Sequence, residues 1–289
     1  MYPPSFRYYR AGSVAEAISL LQREPEARLL AGGHSLLPAM KLRLASPPAL
    51  IDIGRISELK GIRRRDGGWA IGAMTTHREI EFSELPLLAE VASHVADPPV
   101  RNRGTIGGSL AHADPGADYP AAVLALEATI KAVGPRGERS IPADGFFQGL
   151  FTTALEQGEV LTEVHIPSLG RGWGWAYEKF PHPASGYAVV GVGALGQAGG
   201  GTARQVRVGV TGMAQSAFRA RPVEERLTGR PLDETAVRSA VEGAFDPQDA
   251  LSDPFASAEY RAALCLSLIH ISEPTRLLSI SYAVFCLKK

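Results

Sequence analysis

Cysteine is nearly missing from this chain of 289 residues: the two that occur, Cys265 and Cys286, both fall in the last 25 positions. The first 264 residues can therefore hold no disulfide, no thiolate nucleophile and no cysteine-ligated iron–sulfur cluster. The seven histidines, at 34, 77, 94, 112, 165, 182 and 270, never stand at HxH or HxxxH spacing. That leaves only a metal site assembled from distant residues, and no metal ligand is assigned. Charge of one sign is also lacking, with 30 Lys+Arg against 30 Asp+Glu and a formal net charge of zero. Binding of nucleic acid through bulk charge is excluded, because phosphate neutralisation needs a basic excess. The longest apolar run near the end, Leu277 to Leu287, has 11 residues including two serines, short of the ~20 that cross a bilayer. The opening MYPPSFRYYRAGSV lacks a basic start and apolar core, so the expected location is cytoplasmic. No Gly-Lys-Ser/Thr follows a glycine-rich turn, which removes a Walker loop.

With 45% hydrophobic and 21% charged residues the chain is globular, and its length suggests about two domains. Ser13 and Glu16 form a capping box for a helix to about Arg23, with Val14, Ile18 and Leu21 on one face. Strands follow at Arg28–Leu30 and Ala49–Ile53, giving a small β-α-β unit of roughly 55 residues. A second unit opens with a strand at Trp69–Gly72 and a capping box at Thr76 and Glu79. It continues with helices at Pro86–Val95 and Asp118–Leu126, the latter capped by Asp118, and strands at Thr129–Val133, Glu138–Ile141 and Val160–Ile166. After a glycine-rich linker at Ser168–Gly174, strands at Trp173–Lys179, Val189–Leu195 and Val206–Thr211 read as an antiparallel meander, followed by helices at Pro222–Leu227 and Asp233–Ala244. The expected class is α+β.

Gly191-Val192-Gly193-Ala194-Leu195-Gly196 fits the dinucleotide fingerprint G-x-G-x-x-G, but the following Gln197–Gly201 cannot open a helix, and no acid occurs before Glu224. It reads as a strand entering a hairpin. Two other glycine pairs are better placed. Gly32-Gly33 follows the Leu29-Leu30-Ala31 strand and precedes Ser35; Gly107-Gly108 follows Thr105-Ile106 and precedes Ser109. Adjacent glycines can take positive φ and turn successive N–H groups toward one anion, so two such nests could grip a pyrophosphate; two plain tight turns are the competing reading. Asp114 and Asp118, just beyond the second pair, could accept hydrogen bonds from ribose or ribityl hydroxyls, or serve a turn and a helix cap.

AGGHSLLPAMKLRL at 31–44, IGAMTTH at 71–77 and RNRGTIGGSLAHADPGADYPA at 101–121, in that order, resemble the FAD-binding medium subunits of the molybdenum hydroxylases, most closely the carbon monoxide dehydrogenase type within the xanthine dehydrogenase family. The likeness runs from SFRYYR near the start to AEYR at 258–261, about nine tenths of the chain. It implies an FAD-binding PCMH-type fold, shared with vanillyl-alcohol-oxidase-like flavoproteins: FAD subdomains at 1–55 and 56–170 and a C-terminal domain at 171–263 with a three-stranded antiparallel sheet and helices. By the same resemblance, Ala31, Gly32, Gly33, His34, Ser35 and Leu36, together with Thr105, Ile106, Gly107, Gly108 and Ser109, wrap the pyrophosphate. Asp118, and more weakly Asp114, contact the FAD, while Leu161, Lys179 and Tyr187 approach the flavin. No residue of this chain is assigned a catalytic role. The implied function is electron transfer: electrons come from the [2Fe–2S] clusters of a small subunit, which are fed by a large molybdenum-cofactor subunit, and leave to an external acceptor. The implied assembly is a dimer of heterotrimers, with any membrane or quinone association made through the complex. The alternatives are a stand-alone FAD-dependent reductase of the same fold and a cofactor-free assembly protein.

Residues 264–289, CLSLIHISEPTRLLSISYAVFCLKK after Leu264, carry both cysteines, no glycine and no clean helical period. The likeness stops there, and the segment reads as a foreign or frame-shifted tail; a divergent helix with redox cysteines is the other reading.

Overall fold

The computed structural model describes residues 2–65, 67–231 and 233–271. Its first unit is a three-stranded parallel sheet in which Ala49–Asp52 lies between Arg7–Arg10 and Arg28–Leu30. The Val14–Arg23 helix covers it with Val14, Ala17 and Leu20. Ser13 caps that helix through the Glu16 amide, but the Glu16 carboxylate reaches back to the amide of Gly12 rather than of Ser13. The Thr76–Glu79 box is complete, each side chain taking the other residue's amide. The Arg7–Arg10 strand has no clear alternation in RYYR and is found only because its neighbour Ala49–Asp52 supplies hydrogen bonds.

The second unit is a five-stranded antiparallel sheet ordered Ile62–Arg65, Gly68–Gly72, Val160–Pro167, Thr129–Gly134, Gly137–Pro142. Its core is built around Ile71, Ile130, Val164 and the Tyr119–Ala125 helix, all seven residues of which are buried. The third unit is an antiparallel sheet of Trp173–Pro181, Ala188–Gly199, Thr202–Thr211 and Phe218–Arg219. It has four strands where the sequence suggests three, the two-residue Phe218–Arg219 being too short to show a period. Gly191–Gly196 lies inside the Ala188–Gly199 strand, which turns at Gly200 and Gly201 into its partner, as expected for a hairpin and not for a nucleotide fingerprint.

The glycines of this sheet have a packing task. A Cβ at Gly209 would lie 2.0 Å from the carbonyl oxygen of Ala121, and one at Gly191 2.6 Å from the Tyr177 hydroxyl. The Tyr119–Ala125 helix is thus seated against a strip that only glycine makes flat enough. That helix joins the second and third units and begins beside Asp118.

The last described helix, Ala258–Ile271, runs across Leu264 without a break, and Cys265, Leu268 and Ile269 are buried in the third core. The period is masked in the sequence because the exposed face carries Tyr260, Ala263 and Ile271 while the buried face carries Arg261. Burial pushes the Cys265 thiol up, which keeps it a thiol at neutral pH. Cys286, Pro274 and the rest of the tail from 272 on lie outside the described residues. Among the described residues no helix is long and apolar enough to cross a membrane.

Candidate functional site

A cleft of about 1360 Å³ runs between the first two units and is bordered by the Tyr187 loop of the third. It is lined by Ala31 to Leu36, Thr105, Gly107, Gly108, Ser109, Asp114, Asp118, Leu161 and Tyr187. Of the residues singled out from the sequence, two lie off it: Ile106 is buried beneath the wall, and Lys179 lines a neighbouring pocket of about 440 Å³ with His94, Ser185 and Gly186.

The first glycine pair leaves a row of backbone amides open. The Arg28–Leu30 strand ends where Leu30 accepts from the amide of Ile53, and the chain turns through Ala31–Ser35 into the short Leu36–Lys41 helix. Gly33 takes φ +79°, and the Nδ1 of His34 sits 3.1 Å from the Gly32 carbonyl oxygen. Among the described residues, the amides of Gly32, Gly33, His34, Ser35 and Leu36 meet no acceptor, and Ser35 makes no capping bond. Five consecutive donors without a protein partner, at the edge of a cleft, are what a bound anion satisfies. Gly32 does not need glycine for its φ: a Cβ there would stand 2.4 Å from the Arg103 carbonyl oxygen and 2.7 Å from the Gly104 Cα. The first unit touches the second at that point.

The second pair is built differently, and here the expected positive-φ nest is corrected. Thr105 caps the Ile106–His112 helix, and neither Gly107 nor Gly108 has positive φ. The donors are already taken: Ile106 donates to Thr75 (3.1 Å), Gly107 to Ala73 (2.9 Å), Gly108 to the Thr105 hydroxyl (3.1 Å) and Ser109 to the Thr105 carbonyl (3.0 Å). Gly107 is required by proximity, since its Cβ would lie 2.6 Å from that of Ala73. This wall offers a flat surface and the Ser109 side chain, with no free row of amides.

Asp118 does not cap the helix that follows it. Its carboxylate, 5% exposed, accepts from the Tyr177 hydroxyl at 2.5 Å and faces the Lys179 ammonium at 2.8 Å, which also donates to the His94 carbonyl at 2.9 Å. Burial lifts its carboxyl above the usual range while Lys179 and Tyr177 pull it back. Asp118 and Lys179 are therefore partners of one another. Asp114 folds onto the Gly116 amide at 2.9 Å, and the Gly116 carbonyl accepts from Ala188, next to Tyr187. Thr211 fixes the same loop through the Pro115 and Ala117 carbonyls. Tyr187 itself is 41% exposed on a turn held by His182, and burial with Asp114 alongside raises its phenol. Leu161 is a buried wall residue next to a bulge in its strand.

Sequence reasoning passed over Tyr177, Gly104 and His77. His77 stands inside IGAMTTH, lines the cleft and is 5% exposed, with Nδ1 3.2 Å from the Tyr119 hydroxyl. Burial first, then His34 and Arg101, hold it near pKa 4, so it is neutral at pH 7. Its place in the IGAMTTH segment was the available signal.

Residues 4–169 match the family model described as the FAD binding domain in molybdopterin dehydrogenase, and 175–270 match the CO dehydrogenase flavoprotein C-terminal domain. The chain is 44% identical over 275 residues to the carbon monoxide dehydrogenase medium chain of Hydrogenophaga pseudoflava, covering 93% of this chain and 96% of that one. It is 36% identical to the glyceraldehyde dehydrogenase medium chain of Sulfolobus acidocaldarius, covering 90% and 94%. Its structure superposes on carbon monoxide dehydrogenase from Hydrogenophaga pseudoflava with a TM-score of 0.91 at 43% identity, covering 98% and 99%. Against quinoline 2-oxidoreductase from Pseudomonas putida 86 the score is 0.88 at 35%, covering 94% and 96%. FAD fits the residues present: its diphosphate matches the five open amides, and its length suits a cleft spanning two units and reaching a third. The chain belongs to the family of FAD-binding medium subunits of molybdenum hydroxylases, of the carbon monoxide dehydrogenase type, and is an oxidoreductase subunit.

Proposed function

We propose that this subunit carries electrons from a partner to an external acceptor. Bound FAD supplies chemistry that side chains lack, since it exchanges electrons singly or in pairs. The chain's own part is to hold and orient it. In this reading the amides of Gly32–Leu36 grip the diphosphate, Thr105–Ser109 close the opposite wall, and Asp114 accepts from sugar or ribityl hydroxyls. Leu161 and Tyr187 border the ring end, and Lys179 acts through Asp118. The single observation that carries the reading is the row of five unpaired amides in a cleft of dinucleotide dimensions. The partners are a large molybdenum-cofactor subunit, where substrate is oxidised, and a small [2Fe–2S] subunit, assembled as a dimer of heterotrimers in the cytoplasm. The names of the medium chains it resembles support this, because each is one chain of a larger dehydrogenase. Any contact with a membrane or a quinone pool is made through the complex.

The test is a visible spectrum of the purified full chain with FAD added, followed by anaerobic mixing with the reduced cluster-bearing partner. Bleaching of the flavin band at the rate the clusters reoxidise is expected. A chain that takes up no FAD, or a bound flavin that the reduced clusters leave oxidised, would overturn the reading.

A further inference from the structure

The Tyr119–His77 pair settles which nitrogen of a buried imidazole carries its proton, and that in turn gives the cleft a donor. The Tyr119 hydroxyl is fully buried, and among the described residues its one hydrogen-bond partner is the Nδ1 of His77. Burial keeps the phenol protonated. A buried hydroxyl that donated to nothing would carry the full desolvation cost of an unmade bond, so the Tyr119 O–H donates and Nδ1 accepts. A neutral ring accepting at Nδ1 bears its hydrogen on Nε2. That nitrogen has no hydrogen-bond partner among the described residues and belongs to a cleft-lining side chain.

The position of Nε2 follows from the glycines around it. A Cβ on Gly104 would stand 2.5 Å from Nε2, so the ring edge lies directly over Gly104, and Gly104 is the residue whose Cα abuts Gly32. His34, beside Gly33, lines the same cleft as His77. The open amides of Gly32–Leu36 and the Nε2–H of His77 thus border the same end of the cleft. We infer that His77, oriented from behind by the Tyr119 hydroxyl, is a fixed neutral donor to a diphosphate oxygen of FAD held by the Gly32–Leu36 amides across the contact between the first two units. This inference rests on the FAD reading of the cleft. A neutral donor suits the place, because its proton is held without a buried cation that the apoprotein would have to stabilise.

Two substitutions separate this role from a structural one. His77→Asn places an amide oxygen near the old Nδ1 position, where it still accepts from Tyr119, but has nothing at Nε2. His77→Gln reaches the Nε2 position with an amide donor and abandons Tyr119. FAD would be stripped from the full chain and titrated back by fluorescence, with thermal melting of the apoprotein and ³¹P NMR of the bound diphosphate alongside. His77→Asn is expected to weaken FAD binding about tenfold or more and to shift one ³¹P resonance, with little change in apoprotein melting. His77→Gln is expected to bind FAD close to the parent while melting earlier. Equal FAD affinity and an unmoved ³¹P spectrum in His77→Asn would sink the inference while leaving the FAD reading intact; a parent chain that binds no FAD would defeat the reading itself. A ¹⁵N spectrum showing the hydrogen of His77 on Nδ1 would also overturn it.

Discussion

Gly32-Gly33-His34-Ser35 and Gly107-Gly108-Ser109 look alike on paper and face one another across one cleft, yet they are made for different work. In the first, one glycine takes positive φ, and the backbone leaves five amides open. In the second the glycines are helical, and every amide from Ile106 to Ser109 is satisfied inside the protein. What separates them is the neighbour. Ala73, Thr75 and Thr105 supply acceptors to the second segment, whereas the first turns away from its own sheet. Both pairs still need glycine, because at Gly32 and at Gly107 another chain segment sits where a Cβ would be. Two adjacent glycines therefore report close approach more dependably than they report an anion nest.

The sharpest break should come at the ion pair beyond the second segment. Lys179→Met would leave the Asp118 carboxylate buried with only Tyr177 to answer it, and loss of one member of a buried pair costs about 3–5 kcal/mol. Denaturant unfolding of apoprotein and FAD-loaded chain measures it; a change under about 1 kcal/mol would mean that water reaches Asp118 freely. Next, Gly32→Val drives a side chain into the backbone of Arg103 and Gly104, and about 2–4 kcal/mol of stability together with FAD uptake should go. Gly107→Ala collides with Ala73 and should cost about 1–3 kcal/mol, but FAD affinity should fall only as far as the helix is displaced. If the variants at 32 and 107 lost FAD equally at matched stability, the two segments would be equivalent donors after all.

The effect confined to acid conditions is a pH dependence. The native His77 pKa is near 4 against 6.5 in the open chain, so below 6.5 the unfolded state takes up a proton that the native state refuses. Stability should drain away between about pH 6.5 and 4 and level off below, by about 3 kcal/mol at most. The difference between the parent and His77→Asn apoprotein melting curves over that window isolates it. Parallel curves would show that His77 titrates freely in the folded chain.

Much of the fold could be read along the chain. The Val14–Arg23 helix, the complete capping box at Thr76 and Glu79, and the meander from Trp173 all follow from local pattern. The Ile106–His112 helix was hidden because Gly107 and Gly108 have poor helix propensity, and it forms because Thr105 caps it and Ala73 presses on it. Asp118 looked like a cap since it precedes Tyr119-Pro120, but a buried ammonium close by competes better for the carboxylate than a helix amide does. The part played by His77 was not legible along the chain, because its partner Tyr119 lies 42 residues away.

By itself the sequence determined the α+β class, the absence of cysteine ligands before 265, the ordered motifs that mark an FAD-binding medium subunit, and the dismissal of the Gly191–Gly196 decoy. Local periodicity, turn chemistry and residue type suffice for those. Only the tertiary structure decided which glycine pair offers open amides, that Asp118 and Lys179 hold each other, and that His77 meets the Tyr119 hydroxyl at the edge of the cleft. Those properties belong to donors and acceptors that meet from distant parts of the chain, and the sequence cannot show whether a polar group has already found its partner until the fold brings the two together.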